Sequence, residues 1–276
     1  MNSPAWRLLL DPPLDGFENM ARDEAMLEWC RTSAGESPLS PTLRIYGWSV
    51  PTLSLGRFQD ALRSVDQGFC RDHGIPVVRR PTGGAAVLHD REMTYSLVGP
   101  TGADPFSGSI LESYRRIATG IVRGLSYLGL RPDPPAPARC EGPSASPAQC
   151  FARAGSYEIT FGGRKVLGSA QVRRKGASLQ HGSLLLDANP RLFDDATGGQ
   201  REERRGWTTL RELLGRRPDS EETALAVARG LEETFEVRWC IGELSEGEQR
   251  LARRLRARKY LNAHWTVRGS STLSRI

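Results

Sequence analysis

Cysteine is sparse and scattered in this 276-residue chain: Cys30, Cys70, Cys140, Cys150 and Cys240 are odd in number and form no CxxC pair. That pattern excludes a disulfide-stapled scaffold and a cysteine-rich zinc site. No apolar run approaches the roughly 18 residues of a membrane span. The first residues hold no cleavable apolar stretch. No internal repeat is visible, and 29 glycines with 18 prolines fall short of a low-complexity composition. A soluble, cytoplasmic, globular protein is expected, with no membrane association, and the length suits one large domain or two modest ones.

Cations exceed anions, 38 Lys+Arg against 32 Asp+Glu, a formal charge of +6. The surplus gathers towards the C-terminal half at Arg173-Arg174-Lys175, Arg204-Arg205, Arg216-Arg217 and the run Arg253, Arg254, Arg256, Arg258, Lys259. A solvated helix face, a nucleic-acid surface and a dock for an acidic protein all fit such runs. No aromatics interleave with the basic residues and no nucleic-acid motif is present, which favours the protein partner over nucleic acid.

Periodicity predicts strands over 6–10, 42–47 and 52–56, and a helix over 16–30 with Phe17, Met20 and Leu27 on one face. A short helix over 65–73 leads to a strand over 75–80. After Gly83-Gly84, the segments 85–90 and 93–98 read as a continuing antiparallel sheet. Residues 108–129 carry the strongest helical period, through Ile110, Tyr114, Ile117, Ile121 and Leu125. Residues 131–149 hold six prolines and read as a long loop. A hairpin follows, 157–161 and 164–173 around Gly162-Gly163, then a strand over 178–186. Helices over 220–235 and 245–259, with a short strand near 236–240, close the chain. The C-terminal segment 245–276 is thus mainly helical. Hairpins mixed with helices indicate an α+β fold, with a mixed, mostly antiparallel sheet flanked by helices.

The segment RRPTGGAAVLHD (79–90) is the most informative. Gly83-Gly84 permits positive φ and close approach of a ligand to the backbone. Arg79 and Arg80 place cationic donors before it, and His89 closes the next strand. It lacks the GK[ST] of a phosphate-binding loop and is not a GxGxxG turn. An ordinary Gly-Gly hairpin has the same local pattern.

As a whole string, this segment resembles the glycine-rich signature of the biotin/lipoate protein ligase superfamily, in its lipoate ligase and octanoyltransferase branch. NMARDEAML (19–27), KVLGSA (165–170) with QHGSLLLD (180–187), and RKYLNAHWT (258–266) resemble further family strings in the family's order. Cys150 stands fifteen residues before Lys165. That placement resembles the ATP-independent octanoyltransferases in which a cysteine upstream of the lysine carries the acyl group. The ligases usually show a third glycine where this chain has Ala85.

The resemblance implies one catalytic domain over 1–276 and a catalytic pair, Cys150 and Lys165, with Cys140 in the same loop as a decoy. It implies a substrate site from Arg79, Arg80, Thr82, Gly83, Gly84, Ala85, His89, Gly168, Ser169, Ala170, His181 and Gly182, with no metal and no cofactor. The implied donor is octanoyl-acyl carrier protein. The implied acceptor is a lipoyl-domain protein such as the glycine cleavage H protein or an E2 subunit. The carrier and lipoyl domains of the family are generally acidic, which gives the basic segments a use.

A thiolate is the competent nucleophile, and an adjacent ammonium raises its fraction at neutral pH. Lys165 is the candidate ammonium. His89 and His181 read equally as site residues and as satisfied structural histidines, and Cys30, Cys70 and Cys240 as incidental thiols. Val77, Val87 and Leu167 are candidates for an apolar slot. If Gly162-Gly163 is a two-residue turn, Lys165 pairs near Thr160, and the chain between Cys150 and Tyr157 must fold back for the pair to meet. An ATP-dependent lipoate ligase, an amidotransferase acting between lipoyl-domain proteins, and a silent module that binds acylated carriers remain alternatives.

Overall fold

The computed structural model describes residues 3–32, 40–134, 158–199 and 206–269. Within these residues the strands are β1 (Ala5–Leu10), β2 (Thr42–Tyr46), β3 (Thr52–Leu55), β4 (Val77–Arg79), β5 (Val87–His89), β6 (Glu92–Pro100), β7 (Ile159–Phe161), β8 (Arg164–Arg174), β9 (Ala177–Leu185) and β10 (Arg238–Ile241). The helices are α1 (Gly16–Thr32), α2 (Ala61–Ser64), α3 (Gln67–Asp72), α4 (Ile110–Tyr127), α5 (Pro190–Thr197), α6 (Leu210–Leu214), α7 (Ser220–Phe235), α8 (Glu246–Leu255) and α9 (Ala263–Arg268). A π-helical turn, Arg256–Tyr260, joins the last two.

Seven strands form a sheet in the order β10-β1-β2-β6-β9-β8-β7, and a smaller sheet runs β4-β3-β5. In the large sheet β1 pairs parallel with β10 and β2, and the remaining pairs are antiparallel. The architecture is therefore α+β with a mixed, mostly antiparallel sheet, as the sequence indicates.

Strand alternation divides the large sheet into two faces. Leu43, Ile45, Met93, Tyr95 and Leu97 join Ile117, Ile121, Leu125, Val227 and Leu231 of α4 and α7 in the main core. On the other face Val98 and Leu179 pack with Met26 and Leu27 of α1. The helix α4 starts at a capping box between Ser109 and Glu112. It approaches α7 so closely that a Cβ on Gly230 would overlap the backbone at Gly120 and Gly124.

The β7–β8 turn follows the expectation. Gly162 and Gly163 take φ of 56° and 75°, and Thr160 stands opposite Lys165. Asp133 secures this turn by accepting from the Gly162 and Gly163 amides and the Thr160 hydroxyl. Thus the chain just before the proline-rich stretch is tied to the hairpin that bears Lys165.

Two readings need correction. The segments 85–90 and 93–98 do not pair with each other: β5 pairs with β3 in the small sheet, whereas β6 lies between β2 and β9 in the large one. Gly83-Gly84 is accordingly no hairpin turn, since β4 and β5 flank β3 on opposite sides. The helix expected over 65–73 is α3, begun by an Asp66 cap, and a further short helix, α2, precedes it from an Asp60 cap.

The basic runs are largely consumed within the fold. Arg173 donates to the Gly108 and Ser109 carbonyls, Arg174 pairs with Glu24 and Glu28, Arg216 with Glu222, and Arg256 with Asp15. Lys259 is buried on Glu24. Arg253, Arg254 and Arg258 remain exposed, and Arg204-Arg205 lie outside the described residues.

Candidate active site

A pocket lies between the two sheets. Met20, Tyr46, Trp48, Arg80, Val87, His89, Thr94, Gly168, Ser169, Ala170, His181, Gly182 and Ser183 line it. The middle of β8, the middle of β9 and the glycine-rich segment, distant in sequence, thereby meet in one place. Gly182 is required there: a Cβ would stand 2.6 Å from the Tyr95 ring and 2.7 Å from the Gly168 carbonyl oxygen.

Two acid–imidazole–hydroxyl chains border the pocket. In the first, Asp23 Oδ2 is 3.0 Å from His181 Nδ1, and Thr82 Oγ1 is 2.6 Å from His181 Nε2. Asp23 also accepts from Arg44 at 2.9 Å and from the Tyr46 hydroxyl at 3.0 Å. Burial pushes the Asp23 carboxyl up, but the His181 hydrogen bond and the Arg44 charge outweigh it and hold the pKa below the usual value. Burial lowers the pKa of His181, aided by the nearby Arg80 and His89. A neutral imidazole that donates from Nδ1 to Asp23 and accepts at Nε2 from Thr82 satisfies all three groups.

In the second chain, His89 Nδ1 lies 2.7 Å from Glu92 Oε1 and its Nε2 lies 2.7 Å from Ser54 Oγ. Arg80, a donor only, bonds to the same Ser54 oxygen at 2.9 Å. Glu92, an acceptor, draws the Nδ1–H of His89, and the Ser54 hydroxyl pairs with Nε2. Arg80 also donates to the Gly83 and Ala85 carbonyls at 2.9 and 2.8 Å, which sets the course of the glycine-rich segment. Trp48 stacks on His89 with centroids 3.8 Å apart, and its indole N–H donates to Thr94.

Lys165 is buried and its ammonium pairs with Glu158. It does not line the main pocket. Glu158 borders a narrow adjoining cleft with Tyr95, Tyr114, Leu167, Ser169 and Gln180, and Ser169 is a wall of both spaces. The Lys165 backbone is bridged to the 206–208 segment, donating to Gly206 and accepting from Thr208.

Among the expected substrate residues, Arg80, His89, Gly168, Ser169, Ala170, His181 and Gly182 line the pocket, and Thr82 bonds to its wall. Gly83, Gly84 and Ala85 form the adjoining segment, with the Gly84 carbonyl so close to Gly56 that a Cβ there would overlap it. Arg79 lies elsewhere: its buried guanidinium donates to the carbonyls of Gly56, Arg57, Gln59, Trp265, Thr266 and Val267. Strand alternation sends Arg79 and Arg80 to opposite sides. Of the candidate slot residues only Val87 reaches the pocket, while Val77 lines a separate groove and Leu167 the narrow cleft.

Cys140 and Cys150 lie outside the described residues. Cys30 and Cys70 are buried, and desolvation pushes each thiol up to about 11, as befits inert thiols. Met20, Asp23, Arg44, Tyr46, Trp48, Ser54, Glu92 and Glu158 were not anticipated. For Asp23 a signal existed, a charged residue within the apolar repeat Met20, Met26, Leu27 of α1. Among the described residues no cluster of potential ligands for a metal ion is present, and no helix is long and apolar enough to cross a membrane.

The lipoyl protein ligase A/B catalytic domain model matches residues 15–232. The chain is 42% identical over 277 aligned positions to a protein of Kyrpidia tusciae named octanoyltransferase LipM, covering 95% of this chain and 98% of that protein. A Carboxydothermus hydrogenoformans protein of the same name is 39% identical, with the same shares covered. Among solved structures, a putative lipoate protein ligase of Thermoplasma acidophilum with bound lipoic acid is 26% identical, with a TM-score of 0.77, covering 97% of this chain and 100% of that chain.

Proposed function

The chain belongs to the lipoyl protein ligase A/B catalytic-domain family, and we propose that it is an octanoyltransferase of protein lipoylation. In this reading the donor is the octanoyl thioester of acyl carrier protein, and the Cys150 thiolate attacks its carbonyl carbon. The bond to the donor sulfur breaks, the carrier thiol leaves, and the enzyme holds a thioester. The deprotonated ε-amine of a lipoyl-domain lysine then attacks, the bond to Cys150 breaks, and an amide forms. An amide lies downhill from a thioester, so no ATP is required. The Lys165 ammonium favours the thiolate and the developing oxyanion, and the pocket between the sheets receives the acyl chain.

The convergence of Gly168–Ala170, His181–Ser183 and the Thr82–Ala85 segment around one pocket carries this reading. Two anchors support the role of Lys165. Asp133 is bound to its hairpin and Glu158 to its ammonium, and both residues flank the segment that contains Cys150. Glu158 is eight residues along from Cys150, a reach of no more than about 28 Å.

The test is octanoyl transfer by Cys150→Ser and Cys140→Ser variants without ATP. The first is expected to lose transfer and the second to keep it. Turnover by Cys150→Ser contradicts the mechanism, and strict dependence on ATP with free lipoate selects the ligase alternative.

A further inference from the structure

A second concave surface lies away from the pocket, between α1, the α2–α3 pair and α9. Ala61, Val65, Ile75, Val77, Leu261 and Val267 are among its walls. Beside it two large apolar side chains stand in solvent, Phe58 at 85% exposure and Leu62 at 71%. The segments around it carry four arginines, Arg57, Arg63, Arg71 and Arg268, against Asp60, Asp66 and Asp72. Arg57 and Arg268 have no ion pair among the described residues, and the Arg57 guanidinium lies over the rings of Phe58 and Trp265. Arg63 and Arg71 meet only the exposed carboxylates of Asp60 and Asp72, at 3.6 and 3.5 Å. Such loose surface pairs leave the cations available to a partner.

This surface is preformed, and hydrogen bonds tie it to the wall of the active-site pocket. Arg79 binds both of its halves, accepting none of the freedom an open loop would have: its guanidinium holds the 56–59 carbonyls on one side and the 265–267 carbonyls of α9 on the other. The Arg57 amide donates to the Thr82 carbonyl at 2.8 Å, and Thr82 bonds to His181 of the pocket wall.

We infer that this surface, with Phe58, Leu62 and the apolar groove inside a rim of Arg57, Arg63 and Arg268, docks an acidic protein domain that presents the acceptor lysine. An apolar centre within an arginine rim is the anatomy of a protein interface, and Arg57 and Arg268, without an ion pair among the described residues, call for carboxylates opposite them. Nucleic-acid binding rests on phosphate contacts and has no need of the groove. A lysine stem is short, so the domain that delivers it must sit close to the pocket, to whose wall the 56–63 segment is tied through Arg57 and Thr82. The assignment rests on the proposed acyl transfer for the identity of the lysine-bearing partner.

The test is binding of a fluorophore-labelled acidic lipoyl domain to the full chain, read by anisotropy across a salt series, with thermal melting to verify folding. Arg57→Glu/Arg268→Glu and, separately, Leu62→Asp are expected to weaken binding about tenfold or more. The charge reversal also flattens the salt dependence. Arg253→Glu/Arg254→Glu on α8 is expected to bind as the wild type does, and acyl loading from a small octanoyl thioester stays unchanged in every variant. Unaltered binding in the groove and rim variants, an equal loss in the α8 variant, or tighter binding of a DNA duplex than of the domain overturns the assignment. Selective loss of binding in a protein that transfers no octanoyl group supports the docking surface and retires the octanoyl reading.

Discussion

Thr82 Oγ1 and His181 Nε2 lie 2.6 Å apart, a buried hydrogen bond across ninety-nine residues of sequence. It fastens the glycine-rich segment to the centre of β9, and Asp23 fixes the imidazole from behind. Thr82→Val leaves His181 Nε2 without a donor at nearly constant volume, at a cost of about 1–3 kcal/mol. Octanoyl transfer is expected to fall with it, whereas Thr82→Ser keeps the donor and most of the activity. Urea melts together with transfer rates for the two variants check this, and equal behaviour of both contradicts it.

Asp23 and Arg44 form a fully buried ion pair that holds α1 on β2. Arg44 also bonds to Asp11 and Asn19, so Asp23→Asn removes one of two carboxylates from a buried cation and is expected to destabilise the fold by about 1.5–3 kcal/mol. Chemical denaturation measures it. A loss within the error of the melt would mean that Asp11, Asn19 and the Tyr46 ring, all in contact with Arg44, suffice to hold it.

Acid stability should fall in two stages. Because the pKa of His181 is lowered in the fold from 6.5, the unfolded chain takes up its proton first, and stability declines as pH drops below about 6.5. The carboxyls of Asp23 and Glu24 are also lowered, from 3.8 and 4.5. Burial opposes this shift in both, and the His181 bond with Arg44, and Lys259 with Arg174, outweigh it. Their contribution is full above those values and is lost as pH falls through the lower folded ones. Thermal melts from pH 8 to about 3 should show both stages, with the first absent in His181→Asn.

Gly56 and Gly182 have no room for a methyl group. A Cβ on Gly56 overlaps the Gly84 carbonyl, and one on Gly182 meets Tyr95 and the Gly168 carbonyl. Alanine at either position must displace the glycine-rich segment or part β8 from β9. A fall of roughly a hundredfold in kcat/KM is expected, as a small misplacement of the reacting groups produces. Wild-type kinetics in both variants would place the reacting groups elsewhere.

The pairing of Lys165 with Glu158 separates structure from chemistry. Lys165→Met alone removes the ammonium that Glu158 binds and is expected to lower both stability and transfer. Lys165→Met/Glu158→Gln restores much of the stability without restoring transfer. Recovery of transfer in the double variant would make the lysine structural.

The sequence announced α4 and the β7–β8 hairpin because their causes are local: a capping box with a 3.6-residue period, and two adjacent glycines at positive φ. Strand partnership was not local. Residues 85–90 and 93–98 have the spacing of a hairpin, yet β5 and β6 find better partners in β3 and β9. Most of the pocket's glycine, serine and histidine lining was legible from motif strings, but the acids behind the imidazoles were not. Asp23 is buried only because Arg44, Tyr46 and His181 converge on it from three other segments. Arg79 and Arg80 are adjacent and chemically equal, and only the pleat of the strand decides which one reaches the pocket.

The central claim is a covalent octanoyl group on Cys150, formed without ATP. Intact-mass measurement after mixing the protein with octanoyl-acyl carrier protein, followed by peptide mapping, tests it most directly. A single octanoyl adduct on Cys150, discharged by hydroxylamine and by addition of an acceptor lipoyl domain, is the predicted result. An unmodified protein under conditions where transfer proceeds, or an adduct confined to Cys140, contradicts it.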